Sequence, residues 1–190
     1  MLLLVGLGNP GSDYTNTRHN IGFKIIDAIN LHFKLSKQKP KFKGLLTTGN
    51  IEEKKIYAIK PLTFMNNSGT AIKELIDYFK IDAKDVIVFH DDMDIDFGKI
   101  KAKFGGSSAG HNGIESIDKF IGKEYSRVRI GIGHPKQKKK VNNHVLEDFK
   151  EDEEEKIKEI TENIVKQIPT LIDKKMDLFS SKVSQNLNGI

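Results

Sequence analysis

Two residues that can share a proton stand at the ends of apolar runs in this 190-residue chain. His19 lies in Thr17-Arg18-His19-Asn20, and Asp91 lies in His90-Asp91-Asp92-Met93-Asp94, directly after Val86-Ile87-Val88-Phe89. A histidine paired with a carboxylate can take a proton from water near neutral pH, because the pairing fixes its tautomer and raises its basicity. Three asparagines, Asn9, Asn66 and Asn112, occupy comparable loop positions. Their carboxamides offer NH₂ donors for a developing oxyanion and mixed donor-acceptor edges for a peptide backbone. Gathered into one site, these five residues suit hydrolysis of an activated acyl group by water, with no covalent intermediate.

Other chemistries fit the chain less well. Gly6, Gly8 and Gly11 spell G-x-G-x-x-G, but a dinucleotide site needs the loop to open directly into a helix. Here the polar stretch from Ser12 to Asn20 intervenes, and Pro10 removes an amide that a phosphate would use. Residues 106–110 read G-S-S-A-G, which matches a nucleophile elbow around Ser108. The strand before that loop is half lysine, and the only aspartate between Ser108 and His134 is Asp118, inside a helical pattern. Asp91, Asp92 and Asp94 could hold a hard divalent ion only if they converged, and strand alternation separates the first from the other two. An orienting carboxylate with solvated neighbours is the better reading, and no metal or cofactor is expected.

The elements that must carry these residues follow from the apolar pattern. Leu2-Leu3-Leu4-Val5 reads as a buried strand ending at the glycines, and a helix begins at Ile21 with Ile25, Ile26, Ile29 and Phe33 on one face. Residues 42–51 and 56–59 form a hairpin, and Ala71, Ile72, Leu75, Ile76 and Phe79 mark a helix capped by Asn67 or Ser68. Val86 to Phe89 is apolar enough for the centre of a parallel sheet. Lys99, Lys101 and Lys103 alternate with apolar residues on the next strand, which is either a phosphate track or an ordinary solvated face. A helix holding Ile114, Ile117, Phe120 and Ile121 follows, then a strand at 128–133 whose Gly131 and Gly133 admit a close neighbour. The acidic start at 151–155 suits the first turn of a long helix, Pro169 should end or kink it, and the polar tail from Ser180 should fray.

Composition narrows the class further. With no cysteine there is no disulfide, thiolate nucleophile or zinc-thiolate site. No signal peptide is evident, and no stretch approaches the ~20 apolar residues of a membrane helix, so a cytoplasmic protein is expected. The net charge of +5 is uneven: residues 1–140 hold 24 Lys and Arg against 15 Asp and Glu, whereas residues 141–190 hold 7 against 11. A basic body favours a polyanionic partner, with nucleic acid the common one, although solubility charge gives the same composition. A plain RNA-binding domain would use the lysine strand and the basic run at 136–140. It would leave His19, Asp91 and the asparagines unexplained.

The motifs together resemble those of bacterial-type peptidyl-tRNA hydrolases over nearly the whole chain. They are Val5-Gly6-Leu7-Gly8-Asn9-Pro10-Gly11, Tyr14 with Thr17-Arg18-His19-Asn20-Ile21-Gly22, Pro61 with Thr63-Phe64-Met65-Asn66-Asn67-Ser68-Gly69, His90-Asp91-Asp92-Met93-Asp94, Gly110-His111-Asn112-Gly113, and Arg127-Val128-Arg129-Ile130-Gly131-Ile132-Gly133-His134-Pro135. The resemblance implies a single α/β domain over residues 1–190, with a twisted, mixed, mostly parallel central sheet flanked by helices and a C-terminal helical or lid region from about 141. It implies a monomer that cleaves the ester between a peptide and the 3′ end of tRNA, without metal or cofactor. By motif position His19 is the general base and Asp91 its partner. Asn9, Asn66, Met65 and Tyr14 fall on the peptide side, and Asn112 positions water or stabilises the oxyanion. Lys101, Lys103, His111 and Arg129 fall where the family meets tRNA. One departure is visible: Ala109 stands where the family usually has glycine, and glycine tolerates positive φ more readily.

Overall fold

The computed structural model describes residues 1–135 and 141–188. Its strands are β1 (Leu2–Gly6), β2 (Lys39–Lys41), β3 (Gly44–Ile51), β4 (Lys54–Pro61), β5 (Val86–Asp92), β6 (Ile100–Phe104) and β7 (Ser126–Gly131). Its helices are α1 (Ile21–His32), α2 (Ser68–Phe79), α3 (Asn112–Ile121), α4 (Val141–His144), α5 (Glu151–Lys166), α6 (Ile168–Ile172) and α7 (Met176–Asn188). One seven-stranded sheet runs in the order β2-β3-β4-β1-β5-β7-β6. The central strands β4, β1, β5 and β7 are parallel, while β3 and β6 run against their neighbours.

Successive side chains of a strand point to opposite faces, so a central strand needs apolar residues at every position. β1 meets this condition: Leu2 and Leu4 enter one core, and Leu3 and Val5 the other. Helices α2 and α3 cover the second core with Ile72, Leu75, Ile114 and Ile117. Helices α1, α5 and α7 cover the first with Ile25, Ile29, Ile160, Ile164 and Phe179.

The chain leaves β1 through α1 on one face and returns from β4 to β5 through α2 on the other. The two connections diverge above β1 and β5, which opens a crevice at the carboxyl ends of those strands. Glycine lets α1 start hard against that crevice. A Cβ on Gly22 would lie 2.3 Å from the Leu7 nitrogen and 2.4 Å from the Phe89 oxygen. The helix therefore begins on the ends of β1 and β5 and delivers the residues before it to the same edge.

Several local expectations differ from the structure. The tail does not fray: α7 continues to Asn188, Phe179 and Val183 are fully buried, and Ser180 Oγ accepts the Ala102 N–H at 2.9 Å. The short edge strand β2 was not anticipated, because Lys-Pro-Lys carries no apolar signal; those residues suit an exposed edge that must resist pairing. Neither candidate side chain caps α2; Asn67 occupies the cap by backbone alone, and Ser68 Oγ donates instead to the Met65 carbonyl. Pro169 ends α5 by falling in the first turn of α6, where its missing N–H costs nothing. The neighbour that Gly131 admits is the chain itself, since a Cβ there would lie 2.1 Å from the Asp96 carbonyl oxygen. The basic run at 136–140 lies outside the described residues.

Candidate active site

His19 sits in a single 3₁₀ turn, Arg18–Asn20, between the glycine loop and α1. The turn is pinned from the C-terminal part of the chain. The N–H groups of Arg18 and His19 donate to the carbonyls of Glu147 and Val145, and the Phe149 N–H donates to Asn16. The buried Arg18 guanidinium adds bonds to the Glu147 and Asp148 carbonyls and to Glu153 at 2.7 Å. The acids at the start of α5 therefore do more than face a helix dipole, because Glu153 fastens the turn that carries His19.

Asp91 ends β5, 1% exposed. Its Oδ1 accepts from His19 Nδ1 at 2.8 Å and from His111 Nε2 at 3.0 Å. His111 is the N-cap of α3, and its Nδ1 accepts the N–H groups of Gly113 and Ile114. With Nδ1 accepting, the donor that the ring offers Asp91 is Nε2–H. The two imidazoles flank the carboxylate with ring centres 4.9 Å apart.

The electrostatics follow from this arrangement. Burial alone would pull the His19 pKa down, but the charge of Asp91 and its hydrogen bond outweigh burial and leave it above 6.5. Burial alone would push the Asp91 carboxyl up, yet its two histidines hold it far below the usual carboxylate range. With Nδ1–H given to Asp91, His19 keeps the Nε2 lone pair for a proton from outside. Behind them His90 is fully buried, with Nδ1 against the Asp91 carbonyl at 2.7 Å and its ring edge-on to His111. Burial and the neighbouring His111 keep His90 well below 6.5.

These groups open onto a cleft of ≈ 550 Å³. Of the residues singled out from sequence, Asn9, His19, Met65, Asn66, Asp91, His111 and Asn112 line it. Tyr14 does not; it stands half-buried, edge-on to Phe64, which does. Lys101, Lys103 and Arg129 lie apart, on the edge pair β6 and β7, where Lys101 is in register with Arg129. Burial and the nearby Arg129 and Arg127 lower the Lys103 pKa, the mark of clustered cations. Asp92 and Asp94 separate from Asp91 as alternation requires, Asp92 pairing with Arg129 at 2.7 Å and Asp94 with His134 at 2.9 Å. Ser108 lies in the loop before α3, with its hydroxyl 3.3 Å from Glu115 and no imidazole bonded to it, so the elbow is absent. Ala109 has φ +49°, the left-handed conformation that its side chain resists.

His111, expected on the tRNA side, has both ring nitrogens engaged in the cleft, one with Asp91 and one with the first amides of α3. Arg18, Asn20, Phe64, His90 and Leu146 were given no role from sequence. Arg18 and Asn20 lay within a quoted motif, but the groups they bind are distant in sequence or are backbone atoms. Among the described residues, the possible ligand atoms of His19, Asp91 and His111 lie within 4.8 Å of one another, a set that a metal could use. The two N–H···O bonds already account for their convergence. A larger apolar groove of ≈ 780 Å³ between α1 and α5 contains none of these groups.

Fold and cleft together define an α/β domain with acid–base groups gathered at the carboxyl ends of its parallel strands. More specifically, the chain belongs to the peptidyl-tRNA hydrolase family, whose family model matches residues 3–188. It is 73% identical over 184 residues to the peptidyl-tRNA hydrolase of Pelagibacter ubique, covering 97% of this chain and 99% of that one. It is 46% identical over 181 residues to the Ehrlichia ruminantium peptidyl-tRNA hydrolase, covering 95% and 93% of the two. The crystal structure of peptidyl-tRNA hydrolase from Acinetobacter baumannii superimposes with a TM-score of 0.90 at 34% identity, covering 96% of this chain and 94% of that one. Among the described residues, no helix is long and apolar enough to cross a membrane.

Proposed function

We propose that this protein hydrolyses the ester joining a peptide to the 3′ end of tRNA, and so returns the tRNA to translation. The observation that carries the reading is the 2.8 Å bond between His19 and Asp91 at the floor of an asparagine-lined cleft, in a chain of this family. His19 Nε2 takes a proton from water as the water oxygen attacks the ester carbonyl carbon. Asp91 stabilises the imidazolium that forms, and His111, bonded to the same carboxylate, orients Asp91. The carboxamide NH₂ of Asn112 donates to the developing oxyanion, and Asn9 and Asn66 hold the peptide beside Met65. The carbonyl–oxygen bond then breaks, and His19 returns its proton to the ribose oxygen.

Lys101, Lys103 and Arg129 meet the phosphates of the tRNA, as their clustering on one sheet edge supports. Residues from about 141 serve as the lid, with Val145 and Leu146 forming a cleft wall. The protein acts as a monomer in the cytoplasm, where its substrate arises. The chemistry needs no metal.

The test is incubation with N-acetylated aminoacyl-tRNA, following release of the acyl group with and without EDTA. The wild type should cleave it equally in both, and His19→Ala should lose at least ~10²-fold in turnover while still binding tRNA. Undiminished hydrolysis by His19→Ala removes the general base. Loss in EDTA that Zn²⁺ or Mg²⁺ restores would give the His19, Asp91 and His111 set to a metal.

A further inference from the structure

The carboxamide of Asn9 has a fixed polarity. The Met65 N–H needs an acceptor and finds Asn9 Oδ1 at 2.8 Å, so the oxygen end is committed to the protein. The backbone of Asn9 is committed as well: its N–H donates to Asn20 Oδ1 at 2.8 Å, and its carbonyl accepts from Asn20 Nδ2 at 3.0 Å. Asn20 is 2% exposed, and both ends of its amide serve this one residue. What Asn9 presents to the cleft is therefore Nδ2, a group that only donates.

The carboxylates around the cleft have partners of their own. Asp91 lies between two imidazoles, Asp92 is paired with Arg129, and Asp94 with His134. An acyl group whose α-nitrogen is an amide brings a carbonyl oxygen that can accept from Asn9 Nδ2. An acyl group with a free α-ammonium brings N–H donors to the Asn9 donor, and it lacks the acceptor that Asn9 Nδ2 needs. Sites that leave a polar group unpaired discriminate strongly against the wrong substrate.

We propose that Asn20 is a specificity-determining positioning residue: by clamping the Asn9 backbone it keeps the Asn9 amide oxygen on the Met65 N–H and Nδ2 toward the cleft, so that esters of N-acylated amino acids are taken and those with a free amine are refused. The inference rests on the hydrolase reading above and names what sets its substrate choice.

The experiment measures kcat/KM for N-acetylated aminoacyl-tRNA and for its free-amine counterpart in the wild type and in Asn20→Ala. Releasing Asn9 lets its amide turn, so the ratio of the two values should fall at least ~10-fold in the variant, through both a slower N-acyl reaction and a gain on the free amine. Asn9→Asp keeps the Met65 bond through one oxygen and presents the other to the cleft. It should lower the same ratio, and it carries the test if Asn20→Ala fails to fold. A folded Asn20→Ala that loses activity on both substrates in proportion, with the ratio unchanged, makes Asn20 merely structural and overturns the proposal. A wild type that cleaves neither ester instead removes the hydrolase reading, and this assignment with it.

Discussion

Asp91→Asn changes charge with little change of shape. The variant keeps an oxygen able to accept from both His19 Nδ1 and His111 Nε2, so the geometry can persist while the negative charge is lost. A hydrogen bond to a charged group contributes about 1.5–3 kcal/mol, against about 1.36 kcal/mol for each tenfold in rate. Asp91 stabilises the His19 imidazolium most when the proton has arrived, so most of that contribution belongs to the transition state. Turnover of N-acetylated aminoacyl-tRNA should therefore fall roughly 10- to 150-fold, less than in His19→Ala. The pH profile gives an independent reading. Burial lowers the His19 pKa, while the charge and hydrogen bond of Asp91 raise it. The other imidazole facing His19, that of His111, gives Nε2–H to the same carboxylate. Without the Asp91 charge, burial dominates, and the acidic limb of the kcat/KM profile should move to lower pH. A variant with wild-type turnover and an unmoved limb would refute the argument, because Asp91 would then not be coupled to the proton transfer.

Three further outcomes follow from other parts of the molecule. Ala109→Gly should raise stability by up to ~1 kcal/mol in urea unfolding, since Ala109 holds a positive φ that costs a non-glycine residue about 1–2 kcal/mol, partly offset by the entropy of an added glycine. A destabilised variant would mean that the loop draws on the Ala109 methyl group. Lys103→Ala should weaken tRNA binding and reduce the salt slope by about 1, whatever the sequence of the tRNA; an unchanged slope would place the phosphates elsewhere. His90→Phe should make the fold less sensitive to acid. The buried His90 stays neutral in the folded chain, so as pH falls below 6.5 the unfolded chain takes up a proton first and stability is lost. His19 acts in the opposite sense, its contribution being present below 6.5 and lost as pH rises through its folded value, and it is common to both proteins. The drop in unfolding free energy between about pH 7.5 and pH 5.5 should shrink in His90→Phe, and an equal drop would show that another group drives it.

Sequence pattern carried the sheet well, because β1 and the Val86–Phe89 part of β5 are apolar at every position and the long helices each show one buried face. Strand ends then carried the site, since His19, Asp91, Asn9 and Asn112 all follow or precede a readable element. What stayed hidden depends on partners that periodicity does not reveal. The resemblance puts His111 among the residues that meet tRNA, and only the three-dimensional path of the loop turns its ring onto Asp91. Ser180 and Val183 looked like a solvated tail because α7 has few apolar residues, yet those few meet β6. Arg18 gives no local sign that its guanidinium closes on carbonyls about 130 residues away.

That last contact ties the start of the chain to its end. During synthesis the first twenty residues leave the ribosome long before the stretch from Val145 to Glu153 exists, so the turn bearing His19 lacks this second anchor until that stretch arrives. The nascent protein is in effect a lock whose bolt is made last: the sheet can assemble early, but competence waits for the carboxyl-terminal quarter.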